Sequence, residues 1–201
     1  MFPKDHLIRS IFPEIPSTNR SEILGSLKKN QGKITFSHKI NGRWENQYLD
    51  IQFVPQARDI FKMASELSKE LTSESALVPH KELGYPLNEF WFNVTVPGES
   101  TGWHDHKKNA VISGVYYLHI PENSGDLVLR KKENGKWLEW IIKSETGKMI
   151  LFPSHLEHSV QCNRSKEKRI SLSFNLYTLP LKLLTESMQY STRKFFSYIN
   201  S

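Results

Sequence analysis

The chain has 201 residues, of which 38% are hydrophobic and 11% aromatic, enough to build a sizeable core and to exclude global disorder. No run of about 18 apolar residues is present, which excludes a membrane-spanning helix. The net charge of +6 is spread over Lys28-Lys29, Lys107-Lys108, Arg130-Lys131-Lys132 and Arg164 to Lys168. That scatter reads as solvated turns rather than a nucleic-acid surface, although it favours acidic substrates.

One cysteine, Cys162, leaves no intramolecular disulfide and suits a reducing compartment. The opening Met1-Phe2-Pro3-Lys4-Asp5-His6 lacks the basic-then-apolar pattern of a signal peptide, so a cytoplasmic location without a membrane is expected. A single domain over 1–201 is expected, with α/β support in 1–87, a barrel core over about 88–177 and a closing helix over 181–198.

In chain order, Ser21 before Glu22-Ile23-Leu24 is read as a helix cap. Ile34 to Ile40 alternates like a strand, Asn41-Gly42 is a hairpin turn, and Trp44 to Ile51 returns. Between Gln56 and Thr72 the apolar Ile60, Phe61, Ala64, Leu67 and Leu71 fall at helical spacing. From Asn88 onward strands and turns alternate: Phe90–Val96, Val111–Ile120, Asp126–Arg130, Trp137–Ile142, Lys148–Phe152 and Ile170–Tyr177. Many short strands without intervening helices predict a sandwich or open barrel, mainly β with flanking helices.

The chemistry concentrates between Gly102 and Arg169. In a strand, residues i and i+2 share a face, so His104 and His106 are expected to point together, with Asp105 turned away. His158 supplies a third imidazole from a distant strand, and the spacing to Arg169 favours it over His155. Imidazole suits iron, copper, zinc and nickel, so ligand type alone does not choose the metal. His119 is read as a supporting or structural residue, and His6, His38 and His80 as surface histidines.

Arg169, Ser171, Ser173 and Asn175 share one face of the last strand, opposite Ile170, Leu172 and Phe174. A guanidinium binds carboxylates bidentately. Ser171 and Tyr117 can donate to the same group, so a dicarboxylate beside a three-histidine metal is expected. A surface ion pair of Arg169 with Glu157 or Glu167 is the plainer alternative.

These motifs together resemble the iron(II)- and 2-oxoglutarate-dependent dioxygenases, in their prolyl-hydroxylase-like branch. Val96-Pro97-Gly98 through Thr101-Gly102-Trp103-His104 resembles the approach to the first metal ligand. Val115-Tyr116-Tyr117-Leu118 resembles the strand whose second tyrosine contacts 2-oxoglutarate, and Ser124-Gly125-Asp126-Leu127-Val128-Leu129 the next turn and strand. His158 and Arg169-Ile170-Ser171 match the distal histidine and the Arg-x-Ser pattern. The group it is most similar to, from bacteria and their phages, has a Trp-x-Asn strand (here Trp91-Phe92-Asn93), then His-x-His, Ser-Gly-Val-Tyr-Tyr and Phe-Pro-Ser-x-Leu-x-His.

The resemblance covers about 88–177. It implies a double-stranded β-helix, or jelly-roll barrel, and an oxygenase that uses Fe(II), 2-oxoglutarate and O2 and releases succinate and CO2. It implies a metal held by His104, His106 and His158, and 2-oxoglutarate held by Arg169, Ser171, Tyr117 and Asn93. The substrate, a small molecule or a peptide, is not named by any motif. His106 stands where most of the superfamily has a carboxylate, so either three histidines bind the metal, or Asp105 or water replaces His106. A cupin-type dioxygenase or isomerase is the first alternative, although Lys107-Lys108-Asn109-Ala110 lacks the glutamate that cupins usually carry there. A β-barrel ligand-binding module is the second.

Overall fold

A computed structural model describes residues 8–40, 43–106, 110–181 and 196–197. In chain order these form β1 (Arg9–Ile11), α1 (Ser17–Lys29), β2 (Thr35–Ile40), β3 (Arg43–Tyr48), α2 (Ala57–Thr72), β4 (Ala76–Leu77), β5 (Phe90–Thr95) and β6 (Thr101–His104). There follow β7 (Ile112–His119), β8 (Leu127–Glu133), β9 (Lys136–Ile142), β10 (Met149–Pro153), β11 (Glu157–Val160), β12 (Arg169–Thr178) and β13 (Phe196–Ser197). A major sheet runs β1-β10-β7-β12-β5-β3-β2-β13, with β4 on β12, and faces a minor sheet β6-β11-β8-β9. Every described pairing is antiparallel, and the architecture is the expected jelly roll.

Strand alternation divides the core in two. On one face of the major sheet Phe90, Phe92, Tyr116, Leu118, Leu172, Phe174 and Leu176 pack against Ile23 and Leu27 of α1 and Ile60, Phe61 and Ala64 of α2. On the other face Val115, Tyr117, Ile150 and Phe152 meet Leu127, Leu129, Trp140 and Ile142 of the minor sheet. A residue's parity therefore decides whether it props the helices or lines the barrel. Gly114 is a case where parity demands a missing side chain. A Cβ there would lie 2.2 Å from the Phe174 ring and 2.8 Å from Leu151, so Phe174 fills the space a larger residue would need.

Several expectations change. The first helix starts at Ser17, four residues before the expected cap; Ser21 lies inside it and donates to the Thr18 carbonyl. What anchors that helix is the Asn19 amide, which donates to Asp59 of α2 at 2.8 Å. The second helix matches its expected span and ends where Ser73 turns left-handed. The Asn41-Gly42 turn lies outside the described residues, but Ile40 pairs with Arg43 across it. Most of the expected closing helix over 181–198 also lies outside them. At its end, residues 196–197 are a strand instead, because Phe196 and Ser197 pair with Phe36 and Thr35 along the edge of β2.

Candidate metal and co-substrate site

The inner face of β12 gathers the polar residues the alternation predicted. Arg169, Ser171 and Ser173 stand opposite Thr95, Asn93 and Trp91 of β5. On the other side Ser171 and Asn175 stand opposite Tyr117 and Ser113 of β7. Leu172 and Phe174 point to the helices. One strand thus carries an apolar face toward the helices and a polar face toward the barrel interior.

At the minor-sheet side, His158 of β11 pairs with His104 of β6. The ring centroids of His104 and His158 are 4.1 Å apart, those of His104 and His106 5.3 Å, and those of His106 and His158 5.0 Å. One ligand atom from each lies within 4.8 Å of the others. The expected reason for that convergence is only partly right. β6 ends at His104, so His106 is not its i+2 strand neighbour. Instead its backbone N–H donates to the Ser154 carbonyl at 2.9 Å, and its ring is held at Asn175. Asp105 is not part of the cluster.

All three rings are bonded through Nδ1: His104 to the Gly102 carbonyl (2.9 Å), His158 to the Leu156 carbonyl (3.2 Å), and His106 to Asn175 Oδ1 (2.8 Å) and Ser113 Oγ (3.1 Å). A carbonyl oxygen only accepts, so the Nδ1 atoms of His104 and His158 carry the proton and their Nε2 lone pairs stay available. Burial, and then the His104 charge, lowers the His106 pKa to about 4. The same causes, with His106 added, hold His158 well below the usual histidine range. Two of the three rings are thereby kept neutral, as metal ligation requires. Three imidazoles with converging nitrogens fit a divalent first-row metal, and contribute no negative charge to it.

Deeper in the barrel Arg169 is 2% exposed. Its guanidinium donates to Ser144 Oγ at 3.2 Å and reaches Ser171 Oγ at 3.5 Å, and it lies 5.1 Å from the centre of the Tyr117 ring. Arg169 is therefore buried rather than at the surface, as the plainer alternative required, and Glu157 pairs with Arg130 while Glu167 lies beside His119. The Tyr117 hydroxyl is fully buried beside Ser144 and Arg169. Burial pushes its pKa up, while the Arg169 charge and contacts with Ser144 and Arg169 pull the other way, so it stays protonated and able to donate. A guanidinium and a phenolic O–H side by side in a buried site can both donate to one anionic oxygen. Asn93 lies on the same face, donating to the Glu45 carbonyl at 2.9 Å and accepting from Ser173 Oγ at 2.8 Å.

Elsewhere, His155 is exposed and His119 is half-buried beside Glu167. His80, expected at the surface, is 7% exposed, packed on Phe61 and Phe90 and bonded to the Val78 carbonyl. Sequence reasoning missed Ser144 and Glu89. Each reaches the site from a segment with no motif of its own.

Residues 89–175 match the family model described as “Putative 2OG-Fe(II) oxygenase”. No curated protein matches the sequence. Among solved structures, a Pseudomonas putida prolyl-4-hydroxylase aligns over 87% of this chain and 94% of its own, with a TM-score of 0.62 and 14% identity. The non-heme alpha-ketoglutarate-dependent epimerase SnoN from nogalamycin biosynthesis aligns over 85% and 77%, at 0.66 and 12%. A 2OG-Fe(II) oxygenase family oxidoreductase from Burkholderia pseudomallei aligns over 87% and 85%, at 0.57 and 14%. At such identities the structural likeness is one of fold. The family match covers the three histidines, Tyr117, Ser144 and Arg169, and neither the cupin nor the binding-module alternative is favoured.

Proposed function

We propose that this 2OG-Fe(II) oxygenase hydroxylates a C–H bond of a small molecule or peptide, with His104, His106 and His158 as its metal ligands. The observation that carries the assignment is the convergence of three imidazole nitrogens in the barrel that also buries Arg169 and the Tyr117 hydroxyl. Bound Fe(II) with 2-oxoglutarate and O2 supplies the oxidation, in which the co-substrate becomes succinate and CO2 and one oxygen atom enters the substrate.

The chain's own residues bind, orient and keep water out. Arg169 and Ser171 receive the distal carboxylate of 2-oxoglutarate, Tyr117 donates to it from β7, and Ser144 fixes the guanidinium plane. Asn93 lines the same wall, held by Ser173 and the Glu45 carbonyl. Phe152 packs its ring 4.9 Å from His158 and Trp91 packs 5.5 Å from His106, giving the metal site apolar flanks. Tyr48, 6.4 Å from Trp91, brings the β2–β3 hairpin to the same face, and that hairpin shapes the substrate side. The lone, partly exposed Cys162 fits a reducing cytoplasm.

The test is release of labelled CO2 from 1-labelled 2-oxoglutarate by purified protein. Release that requires Fe(II) and falls to background in His158→Ala is the expected result. Iron-independent release, or none at all with iron bound, refutes the assignment.

A further inference from the structure

His106 Nδ1 faces Asn175, and an asparagine side chain offers either an acceptor oxygen or a donor NH2. If the NH2 faced the ring, Nδ1 would have to accept, the proton would move to Nε2, and His106 could not ligate through that atom. Something must therefore orient the amide. Its Nδ2 donates to Glu89 Oε2 at 3.3 Å, and the Asn175 backbone N–H donates to the Glu89 carbonyl at 2.9 Å. An ionised carboxylate accepts only; burial pushes the Glu89 pKa up, and its hydrogen bonds with Asn175 and Tyr177 act in the opposite direction, favouring the ionised form. With Glu89 on one side, the amide has one satisfactory orientation, and Oδ1 faces His106 at 2.8 Å. Ser113 is less decisive, because its hydroxyl can donate or accept and contacts both Asn175 Oδ1 (3.0 Å) and Ser154 Oγ (3.1 Å).

We propose that Glu89 and Asn175 are positioning residues that select the metal-binding tautomer of His106. Glu89 orients the Asn175 amide, the amide oxygen holds the proton on Nδ1, and Nε2 is left free. His106 occupies the position where a carboxylate ligand needs no tautomer chosen. The arrangement also places a carboxylate two hydrogen bonds behind this ligand, in a site whose ligands are all imidazoles. The same residues explain how a histidine beyond the end of β6 is aimed at all. The inference rests on the proposed ligand set, and binding of metal alone tests it apart from co-substrate chemistry.

In Glu89→Gln the side chain at 89 can donate as well as accept, so the Asn175 amide is no longer forced one way. Co(II) titrated into the metal-free protein, followed by its visible absorption, should bind about 10-fold or more weaker in this variant, within the range for supporting partners of metal-bound histidines. The double variant Glu89→Gln/Asn175→Asp restores an acceptor-only group toward His106 and a donor behind it, and should recover affinity to within a few-fold of wild type. A purely structural role for Glu89 predicts no such rescue. Independently of any variant, imidazole nitrogen shifts of the metal-free wild type should report a proton on His106 Nδ1. Wild-type Co(II) affinity in Glu89→Gln, a double variant no better than the single, or an Nε2–H tautomer in the wild type each overturns the proposal. Normal Co(II) binding without any response to 2-oxoglutarate would instead count against the oxygenase reading.

Discussion

Arg169 shows how much one buried charge determines. It is 2% exposed, with Ser144 and Ser171 as hydrogen-bonding neighbours and the Tyr117 ring beside it, and the proposed function makes its guanidinium the receiver of a carboxylate. Removing one partner of a buried, hydrogen-bonded charge pair costs about 2–5 kcal/mol. Arg169→Ala should therefore raise the KM for 2-oxoglutarate by about 30-fold or more, while Co(II) affinity in the absence of 2-oxoglutarate stays within a few-fold of wild type. An unchanged KM would remove Arg169 from the co-substrate pocket. Arg169→Lys should fail nearly as badly, since an ammonium lacks the planar fork. Arg169 was legible because it begins an alternating strand with Ser171. Ser144 was not, because a serine in Lys143-Ser144-Glu145 carries no local signal that its hydroxyl will meet β12.

The elements show where local pattern suffices and where tertiary contacts intervene. The alternation in β12 foretold which residues line the polar face, and pairing with β5, and with β7 from Ser171 onward, keeps that parity across three strands. The same alternation misled at His106, since β6 stops at His104 and the chain turns to bond Ser154 and Asn175 instead. Helix α1 began early because Pro16 and Ser17 start it and Asn19 ties it to Asp59, a contact 40 residues away that no capping pattern encodes. Gly114 marks the tightest packing between β7 and β12. Gly114→Ala must displace the buried Phe174 ring, so it should cost about 1–3 kcal/mol, read as a lower urea midpoint with unchanged m-value. A variant as stable as wild type would mean that Phe174 can move freely.

At the scale of the molecule, the two sheets bring together groups from β5, β6, β7, β11 and β12: at the candidate metal site His104 and His158 come from the minor sheet, and the loop residue His106 is braced by Asn175 of the major sheet. A metal there should hold the sheets together. Adding metal at about 100 times its Kd should stabilise the protein by about 2.7 kcal/mol, an upward shift in Tm of roughly 5–10 °C, and EDTA should reverse it. Absence of any shift would mean that no metal binds the folded state. A sandwich or open barrel, the second helix and the three histidines could be read from spacing and alternation, and the jelly roll from the family resemblance. The devices that aim those histidines could not, because they depend on which distant strands meet. The most direct test of the whole account is an anaerobic titration of the Fe(II)-loaded protein with 2-oxoglutarate. A weak visible charge-transfer band, present in the wild type and absent in Arg169→Ala at the same 2-oxoglutarate concentration, is the predicted result. Iron bound by the wild-type protein with no band at any 2-oxoglutarate concentration would contradict it.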